Sequence, residues 1–273
     1  MSEMPQNLSP ASLVAAIEAQ LVALGTRWDA RPRVTVHADA EMAWTISDIP
    51  LAMFNSVVLT RLAPDRTDAA IRSLVGEAQA RQVPLLWWLG PWMRPADLAA
   101  RLERHGFALA DHRAGMALDL ARWSADVPPP AGLSLRAADD REGLRMWADV
   151  HAAACDWPAV AAETQYAIIS TWEPAGFCAL VGWLDGQPVA TSMVLYAGDV
   201  AGVNFVATLP QARRRGIGAA MTAATLRDAR ERGCRVAALT ATDMGAGVYR
   251  VLGFKVYCQI AMYMWSPDGG AQS

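Results

Sequence analysis

The sequence predicts a mixed α/β (α+β) protein that is built from two similar halves. Strand-like and helix-like segments alternate along the 273 residues, as their apolar periodicities indicate. The order strand, helix, strand, helix, Gly-Phe, strand occurs in both halves, and Gly106-Phe107 lies 147 residues before Gly253-Phe254. Residues 124–132 contain three consecutive prolines and form the best linker between the halves. These observations indicate a diverged internal duplication, although alternating elements are also common in unrelated halves.

The N-terminal half begins with a predicted amphipathic helix. Ser9 is a favourable N-cap, Pro10 suits the first helical position, and Gly25 is a typical stop. Between them an apolar stripe has helical spacing at Leu13, Ile17, Leu21 and Leu24. Periodicity and stop signals predict β structure at 34–62 with a break at 47–50, a helix at 67–82, a strand at 83–89, a helix at 95–105 and a strand at 107–120.

The C-terminal half contains a predicted antiparallel meander. Asp185-Gly186 and Gly198-Asp199 separate three β-like runs, and Asp-Gly is a strong hairpin signal. The meander therefore consists of strands at 177–184, 189–196 and 202–209. Before it we predict a strand at 133–137 and helices at 141–154 and 161–170; after it, a helix at 214–232, a strand at 235–241, a helix at 245–252 and a strand at 254–265.

Composition and charge exclude several classes of protein. The chain is 53% hydrophobic and 19% charged, which is too apolar for disorder, and no apolar run approaches the ~18 residues of a membrane span. A net charge of -3 argues against binding to nucleic acid or to an anionic membrane. The four cysteines form no C-x-x-C pair and the four histidines do not cluster with them, so no metal is expected. The N-terminus shows no secretory pattern, and we expect a reduced, cytoplasmic protein.

The sharpest motif is the run V-A-T-L-P-Q-A-R-R-R-G-I-G-A at 206–219, a strand that leads through a turn into a helix. The start of a helix has unpaired N–H groups and the positive end of the helix dipole. Gly216 and Gly218 would let an anion approach this backbone closely, which predicts a phosphate or pyrophosphate site. Met221 takes the place of the third glycine of a dinucleotide motif, so that reading is rejected. A helix that merely packs tightly at two glycines remains the alternative.

Two motifs resemble the GNAT acyltransferase family. Residues 213–218, R-R-R-G-I-G, are similar to the family signature Q/R-x-x-G-x-G/A, and Tyr249 precedes Gly253-Phe254 by four residues, as in the second family motif. The element order of residues 133–265 is also that of the family. The resemblance implies two GNAT-like domains, each a mixed, mostly antiparallel sheet flanked by helices, with a splayed strand pair at the CoA site of the C-terminal domain.

The resemblance also implies that the two halves have different roles. Residues 1–125 would be a degenerate GNAT-like domain without a CoA loop, 126–132 the Pro-rich linker, 133–266 the catalytic GNAT acetyltransferase domain and 267–273 a disordered tail. Where the N-terminal half should carry the phosphate motif, Asp68 stands near the start of the predicted helix. A carboxylate stabilises a helix start but repels an anion.

A GNAT site implies acetyl-CoA as co-substrate and direct transfer to a bound amine. The pyrophosphate would lie on the backbone of 214–219, and the pantetheine arm along 206–208. Tyr249 takes the position of the family's general acid, which protonates the departing thiolate; its alternative role is that of a core tyrosine. The predicted CoA-binding residues are Val206, Ala207, Thr208, Arg213, Arg214, Arg215, Gly216, Ile217, Gly218, Ala219 and Thr242.

Two positions depart from the family pattern. Thr242 stands seven residues before Tyr249, where many members have asparagine, so its contact with pantetheine is not assured. The strand at 202–209 lacks the glutamate that often serves as general base. A base could be supplied by Asp156, Glu163, Glu173 or His151, each of which also fits a solvated side chain, or the acceptor could arrive partly deprotonated. The predicted substrate-side residues are Asp156, Trp157 and Asn204.

Charge along the C-terminal half is divided unevenly. Residues 211–255 carry a net charge of +6 and residues 131–210 a net charge of -6. A basic segment suits the phosphates of CoA, and an acidic one would attract a cationic amine; scattered surface charges are the other interpretation. We therefore predict an acetyl-CoA-dependent N-acetyltransferase that acts on a primary amine of a small molecule, as monomer or homodimer. The alternatives are a longer acyl-CoA donor, a protein N-terminus as acceptor, or a non-catalytic CoA-binding regulatory protein.

Overall fold

The computed structural model describes residues 8–28 and 34–268. Helices and strands alternate as predicted, and most elements end within three residues of their expected limits. In chain order the elements are α1 (Pro10–Gly25), β1 (Thr35–Ala38), β2 (Met42–Ile46), β3 (Ser56–Thr60), α2 (Pro64–Arg81), β4 (Leu85–Leu89), α3 (Leu98–Arg104), β5 (Ala108–Asp119), β6 (Leu133–Ala137), α4 (Arg141–Ala154), α5 (Ala159–Ile169), β7 (Phe177–Leu184), β8 (Gln187–Ala197), β9 (Val200–Thr208), α6 (Ile217–Glu231), β10 (Val236–Ala241), α7 (Asp243–Val251) and β11 (Lys255–Trp265).

The chain forms two compact units that are not continuous in sequence. Unit 1 consists of Met1–Gln20 and Met116–Tyr257, and unit 2 of Leu21–Gly115 and Cys258–Ser273. These units do not coincide with the predicted division at 126–132. Each predicted domain gives a segment to the other unit, because the end of β5 belongs to unit 1 beside β10 and the end of β11 belongs to unit 2 beside β4. Of the predicted disordered tail at 267–273, residues 269–273 lie outside the described part of the chain.

Unit 1 contains the predicted meander. Its sheet has the order β5-β10-β9-β8-β7-β6, in which β6, β7, β8 and β9 are antiparallel neighbours. Strand β10 pairs with β9 in parallel, because α6 carries the chain across the sheet between them. A Cβ added to Gly182 of β7 would lie 2.7 Å from Met221 Sδ of α6, so glycine lets this helix pack closely. On α4, the fully buried Trp147 donates its Nε1–H to Ser192 O at 3.1 Å.

The strands of unit 2 have the order β1-β2-β3-β4-β11 and include both parallel and antiparallel pairs. Strand β4 is parallel to β3 and antiparallel to β11, whose Ala261–Trp265 segment pairs with Leu85–Leu89. Helix α2 begins at Pro64, which has no N–H to offer an anion. On the same helix, the carboxylate of Asp68 forms hydrogen bonds with Arg101 and His105.

Among the described residues, no helix has both the length and the hydrophobicity that crossing a bilayer requires.

Candidate active site

Unit 1 contains a gap in its sheet where two parallel strands separate. Strands β9 and β10 pair only from Val200–Gly202 against Val236–Ala238. Beyond these residues β9 remains paired with β8 alone, and residues 204–208 are all half-buried. The predicted splayed strand pair is therefore present, with one edge of β9 open. An open strand edge can bind an extended ligand through main-chain hydrogen bonds.

A β-bulge lies at the start of this gap. The register between β8 and β9 shifts between Thr191 and Met193, and Phe205 on the opposite strand has a φ of 53°. Thr191 Oγ1 donates to Phe205 O at 2.9 Å and stabilises the bulge. A bulge changes the direction of local backbone groups, and a left-handed φ at a phenylalanine is costly outside such a feature. The sequence contained no glycine to indicate it.

The turn between β9 and α6 forms a cradle of backbone N–H groups. Arg214 and Gly216 have left-handed φ angles of 62° and 77°, and helix α6 therefore begins at Ile217 instead of the predicted 214. The N–H groups of residues 214–219 have no backbone acceptor within the part of the chain that the structure describes. A Cβ added to Gly218 would meet nothing within 4 Å. These N–H groups are the ones on which the motif predicts an anion.

The three arginines of the turn differ in their surroundings. Arg213 donates through Nε to Thr208 O and through a terminal nitrogen to Ala154 O, both at 3.0 Å. It ties the turn to the end of β9 and to the end of α4. Arg214 and Arg215 are exposed and form no ion pair with any described residue. These two guanidinium groups are therefore the ones that remain available for phosphates, whereas Arg213 already holds the turn in place.

Tyr249 lies on α7, the short helix that follows the open end of β10. Its ring packs edge-to-face on Phe254 with a centroid distance of 5.9 Å, and burial raises the pKa of the phenol to about 12. It is therefore a neutral donor at physiological pH. Thr242 caps the same helix, because its Oγ1 accepts from the Gly245 N–H at 3.0 Å. This bond uses one lone pair of the Thr242 hydroxyl oxygen, so the hydroxyl hydrogen can still be donated to another group.

The residues predicted on the substrate side occupy different environments. Asn204 is half-buried on β9 beside the bulge. Trp157 is half-buried at the end of α4, with its ring 5.1 Å from that of His151. Asp156 is exposed and has a left-handed φ of 55°. Asn204 is thus the member of this group that lies on the splayed strand itself.

The candidate bases lie on α4, on α5 or just after these helices, and not on β9. Glu163 forms an exposed salt bridge with Arg145, and Glu173 is an exposed residue after α5. His151 is not the solvated side chain that one interpretation predicted, since it is 3% exposed. None of the four residues proposed as a base therefore combines accessibility with a position on β9.

His151 belongs to a packed aromatic cluster. It stacks on Trp147 and makes edge contacts with Trp157 and Phe205, at centroid distances of 5.1 to 5.3 Å. Its Nδ1–H donates to Gln165 Oε1 at 3.1 Å, which leaves Nε2 to face the Cys155 thiol at 3.6 Å. Burial lowers the pKa of the imidazole to about 4. The ring is therefore a neutral packing group that supports the bulge at Phe205.

Acid should destabilise the protein through His151. The unfolded chain binds a proton near pH 6.5, whereas the folded chain does so only near pH 4. The contribution of the neutral ring is thus complete above pH 6.5 and is lost as the pH falls toward 4, by about 2 kcal/mol between pH 7 and pH 5. Urea unfolding of wild type and His151→Phe at both pH values measures it. Equal pH dependence in the two proteins would contradict the assignment.

No group of three or more His, Cys, Asp or Glu side chains that could hold a metal occurs in residues 8–28 and 34–268.

Comparison with known proteins identifies the fold. Residues 147–254 match the acetyltransferase (GNAT) family. A GCN5-related N-acetyltransferase from Kribbella flavida is similar with a TM-score of 0.68 and 22% identity, over 95% of this chain and 96% of that one. One from Sphaerobacter thermophilus gives 0.64 and 16%, over 97% of both chains. A tandem GNAT protein from the clavulanic acid biosynthesis pathway gives 0.58 and 17%, over 97% and 98%. No curated protein sequence matches.

The matched region includes the meander, the cradle and Tyr249, and the full-length similarities extend over both units. The predicted family resemblance and the predicted fold class are confirmed.

Proposed function

We propose that this chain, a GNAT-family acetyltransferase, moves the acetyl group of acetyl-CoA directly to the primary amine of a small molecule. Acyl transfer follows from the family match of residues 147–254. The use of acetyl-CoA is supported by one observation: the free strand edge of β9 leads directly to the unpaired N–H groups of residues 214–219. This combination suits an extended ligand that ends in phosphates.

Acetyl-CoA fits the residues present at the gap. The N–H groups of 214–219 and the exposed Arg214 and Arg215 would hold the pyrophosphate. The free edge of β9 at Val206–Thr208 would pair with the amides of the pantetheine arm. Glycine at 216 and 218 keeps this surface clear of side chains. When bound, acetyl-CoA supplies an activated acyl group as a thioester.

The chain's own groups can assist transfer at three points. Backbone N–H groups at the bulge beside Phe205 would stabilise the negative charge that develops on the carbonyl oxygen. Tyr249 would donate its proton to the departing sulfur, since the raised pKa keeps the phenol protonated. The proton that the amine loses on forming the amide would return through water to the phenolate. Orientation in one ternary complex supplies much of the remaining rate.

A cationic amine is the acceptor that the charges favour. The segment 131–210 has a net charge of -6, and within it Arg145 pairs with Asp149 and Glu163. Glu142, Asp156 and Glu173 stay exposed and attract cations toward this side of unit 1. A longer acyl-CoA or a protein N-terminus as acceptor would use the same cradle and tyrosine.

CoA release with a panel of small primary amines tests the proposal. We expect kcat/KM to increase with pH as the amine loses its proton, and to show no decline below pH 10, because the pKa of Tyr249 is about 12. A pH optimum below 9 would contradict the role of the tyrosine. CoA binding without turnover of any amine would favour a regulatory protein, and faster release from longer acyl-CoAs would reassign the donor.

A further inference from the structure

A buried amide without a partner lies next to the candidate active site. Gln20, on the part of α1 that belongs to unit 1, is 2% exposed. Neither its Oε1 nor its Nε2 forms a hydrogen bond with a described residue. Burial of an unpaired amide is unfavourable, and few such groups occur in folded proteins. Packing alone would have favoured an apolar side chain on this face of α1, as at Leu13 and Ile17.

The Gln20 side chain lies directly against β9. A Cβ added to Gly202 would be 3.0 Å from Gln20 Cβ and 3.2 Å from Gln20 Oε1. Glycine at this position therefore makes room for the glutamine. Gly202 is also the last residue of β9 that pairs with β10, so the amide stands where the gap begins.

Asn204 occupies the same face of the strand. Its Nδ2 would be 3.3 Å from the same added Cβ, which brings the two carboxamides to one place. The Asn204 Nδ2–H donates to Gly202 O at 3.0 Å, a bond within its own strand that uses one of its two hydrogens. Its Oδ1 has no hydrogen bond to any residue that the structure describes. Unlike Gln20, Asn204 is half-buried and borders the gap.

We propose that Gln20 and Asn204 form an amide pair that orients the acceptor amine, a role that rests on the proposed function. When the amine binds, Asn204 Oδ1 accepts a hydrogen bond from it, and Gln20 Oε1, which has no partner among the described residues, becomes the acceptor of the second Nδ2 hydrogen of Asn204. Gln20 is thus a positioning residue, since it contacts Asn204 and not the substrate. Its bond selects the orientation of the Asn204 amide that turns the oxygen toward the gap.

The chemistry of a carboxamide suits a site that lacks a general base. Strand β9 contains no carboxylate, and a neutral oxygen can accept an N–H of the amine without removing the nitrogen lone pair that attacks the thioester. A free asparagine could present its NH2 group instead, which would repel the amine hydrogens. A fixed amide plane therefore favours amines that retain at least one N–H for this bond.

Gln20→Met tests the pair, because methionine has nearly the same length and no polar function at its tip. We expect KM for the amine to rise about tenfold, the usual effect of losing one hydrogen bond, with KM for acetyl-CoA unchanged. The melting temperature should stay the same or increase, since two unpaired polar atoms leave the core. Gln20→Glu keeps an oxygen that can accept from Asn204 and should restore the amine KM to within about threefold of wild type.

A double-mutant cycle separates a positioning role from a general one. If Gln20 acts only through Asn204, the double variant of Gln20→Met and Asn204→Ala should have the amine KM of Asn204→Ala alone. Gln165→Met is the matched control for removal of a buried amide. It breaks the bond to His151 and should lower the melting temperature without changing the amine KM.

The outcomes distinguish this role from the proposed function. Wild type that turns over no amine overturns the proposed function and the amide pair with it. Wild-type turnover with an unchanged amine KM in Gln20→Met, or with additive effects in the cycle, overturns the amide pair alone. A lower melting temperature together with equal increases in both KM values would assign Gln20 to the structural core and also overturns it.

Discussion

Replacement of Gly218 by tryptophan should abolish CoA binding. The position is open, since a Cβ there meets nothing within 4 Å, so the variant should fold while the indole fills the cradle of N–H groups at 214–219. Loss of two hydrogen bonds to phosphate, each contributing roughly 1.5–3 kcal/mol, corresponds to at least about a 100-fold increase in Kd. Isothermal titration of CoA into the variant measures the change.

Gly76→Trp provides the matched control. Gly76 lies on the exposed face of α2 in unit 2, and a Cβ there also meets nothing within 4 Å. It should bind CoA as wild type does. Gly218→Ala adds only a methyl group and should reduce affinity less than the tryptophan does. CoA affinity in Gly218→Trp within tenfold of the control would show that the pyrophosphate binds elsewhere.

Removal of the phenolic hydroxyl in Tyr249→Phe should lower kcat by about 100-fold, the lower end of the usual contribution of general acid catalysis. The ring still packs on Phe254, so the fold and the Kd for CoA should change little. Stopped-flow or steady-state release of CoA measures kcat, and titration of CoA measures the Kd.

Tyr257→Phe on β11 removes the same hydroxyl from a residue outside the proposed site and should leave kcat unchanged. A Tyr249→Phe enzyme as fast as this control would exclude Tyr249 from the mechanism. A large increase in the Kd for CoA without a change in kcat would assign the tyrosine to cofactor binding.

Local signals predicted those elements whose ends are determined by neighbouring residues. Strand β6, helix α4 and strand β7 begin and end at the predicted positions. Asp140 explains the start of α4, because its side chain accepts from the Gly143 N–H at 2.7 Å, as an N-cap does. The spacing of residues in the sequence likewise indicated the two glycines of the cradle and the tyrosine before Gly253.

Features that depend on distant parts of the chain could not be predicted from local sequence signals. The bulge at Phe205 depends on the Thr191 hydroxyl of the neighbouring strand. The late start of α6 depends on a left-handed Arg214, which propensity alone disfavours. Gln20 is a polar residue beside the apolar stripe of α1, and the sequence alone could have drawn attention to it. That its side chain lies against Gly202 could be seen only in the folded structure.

Each unit is built from two separate segments of the chain, so it can be completed only after its later segment has been synthesised. Strand β4 of unit 2 pairs on one side with Ala261–Trp265, which are synthesised long after Leu85–Leu89. Until then the apolar run Leu85–Leu89 is an unprotected sheet edge, the kind of segment that associates with other chains. An N-terminal fragment that ends at the linker would therefore keep this edge of β4 open. A cut at the proline linker would leave the N-terminal fragment without the β11 strand of unit 2, and the C-terminal fragment without the α1 helix of unit 1. We therefore expect the two halves to fold as one polypeptide.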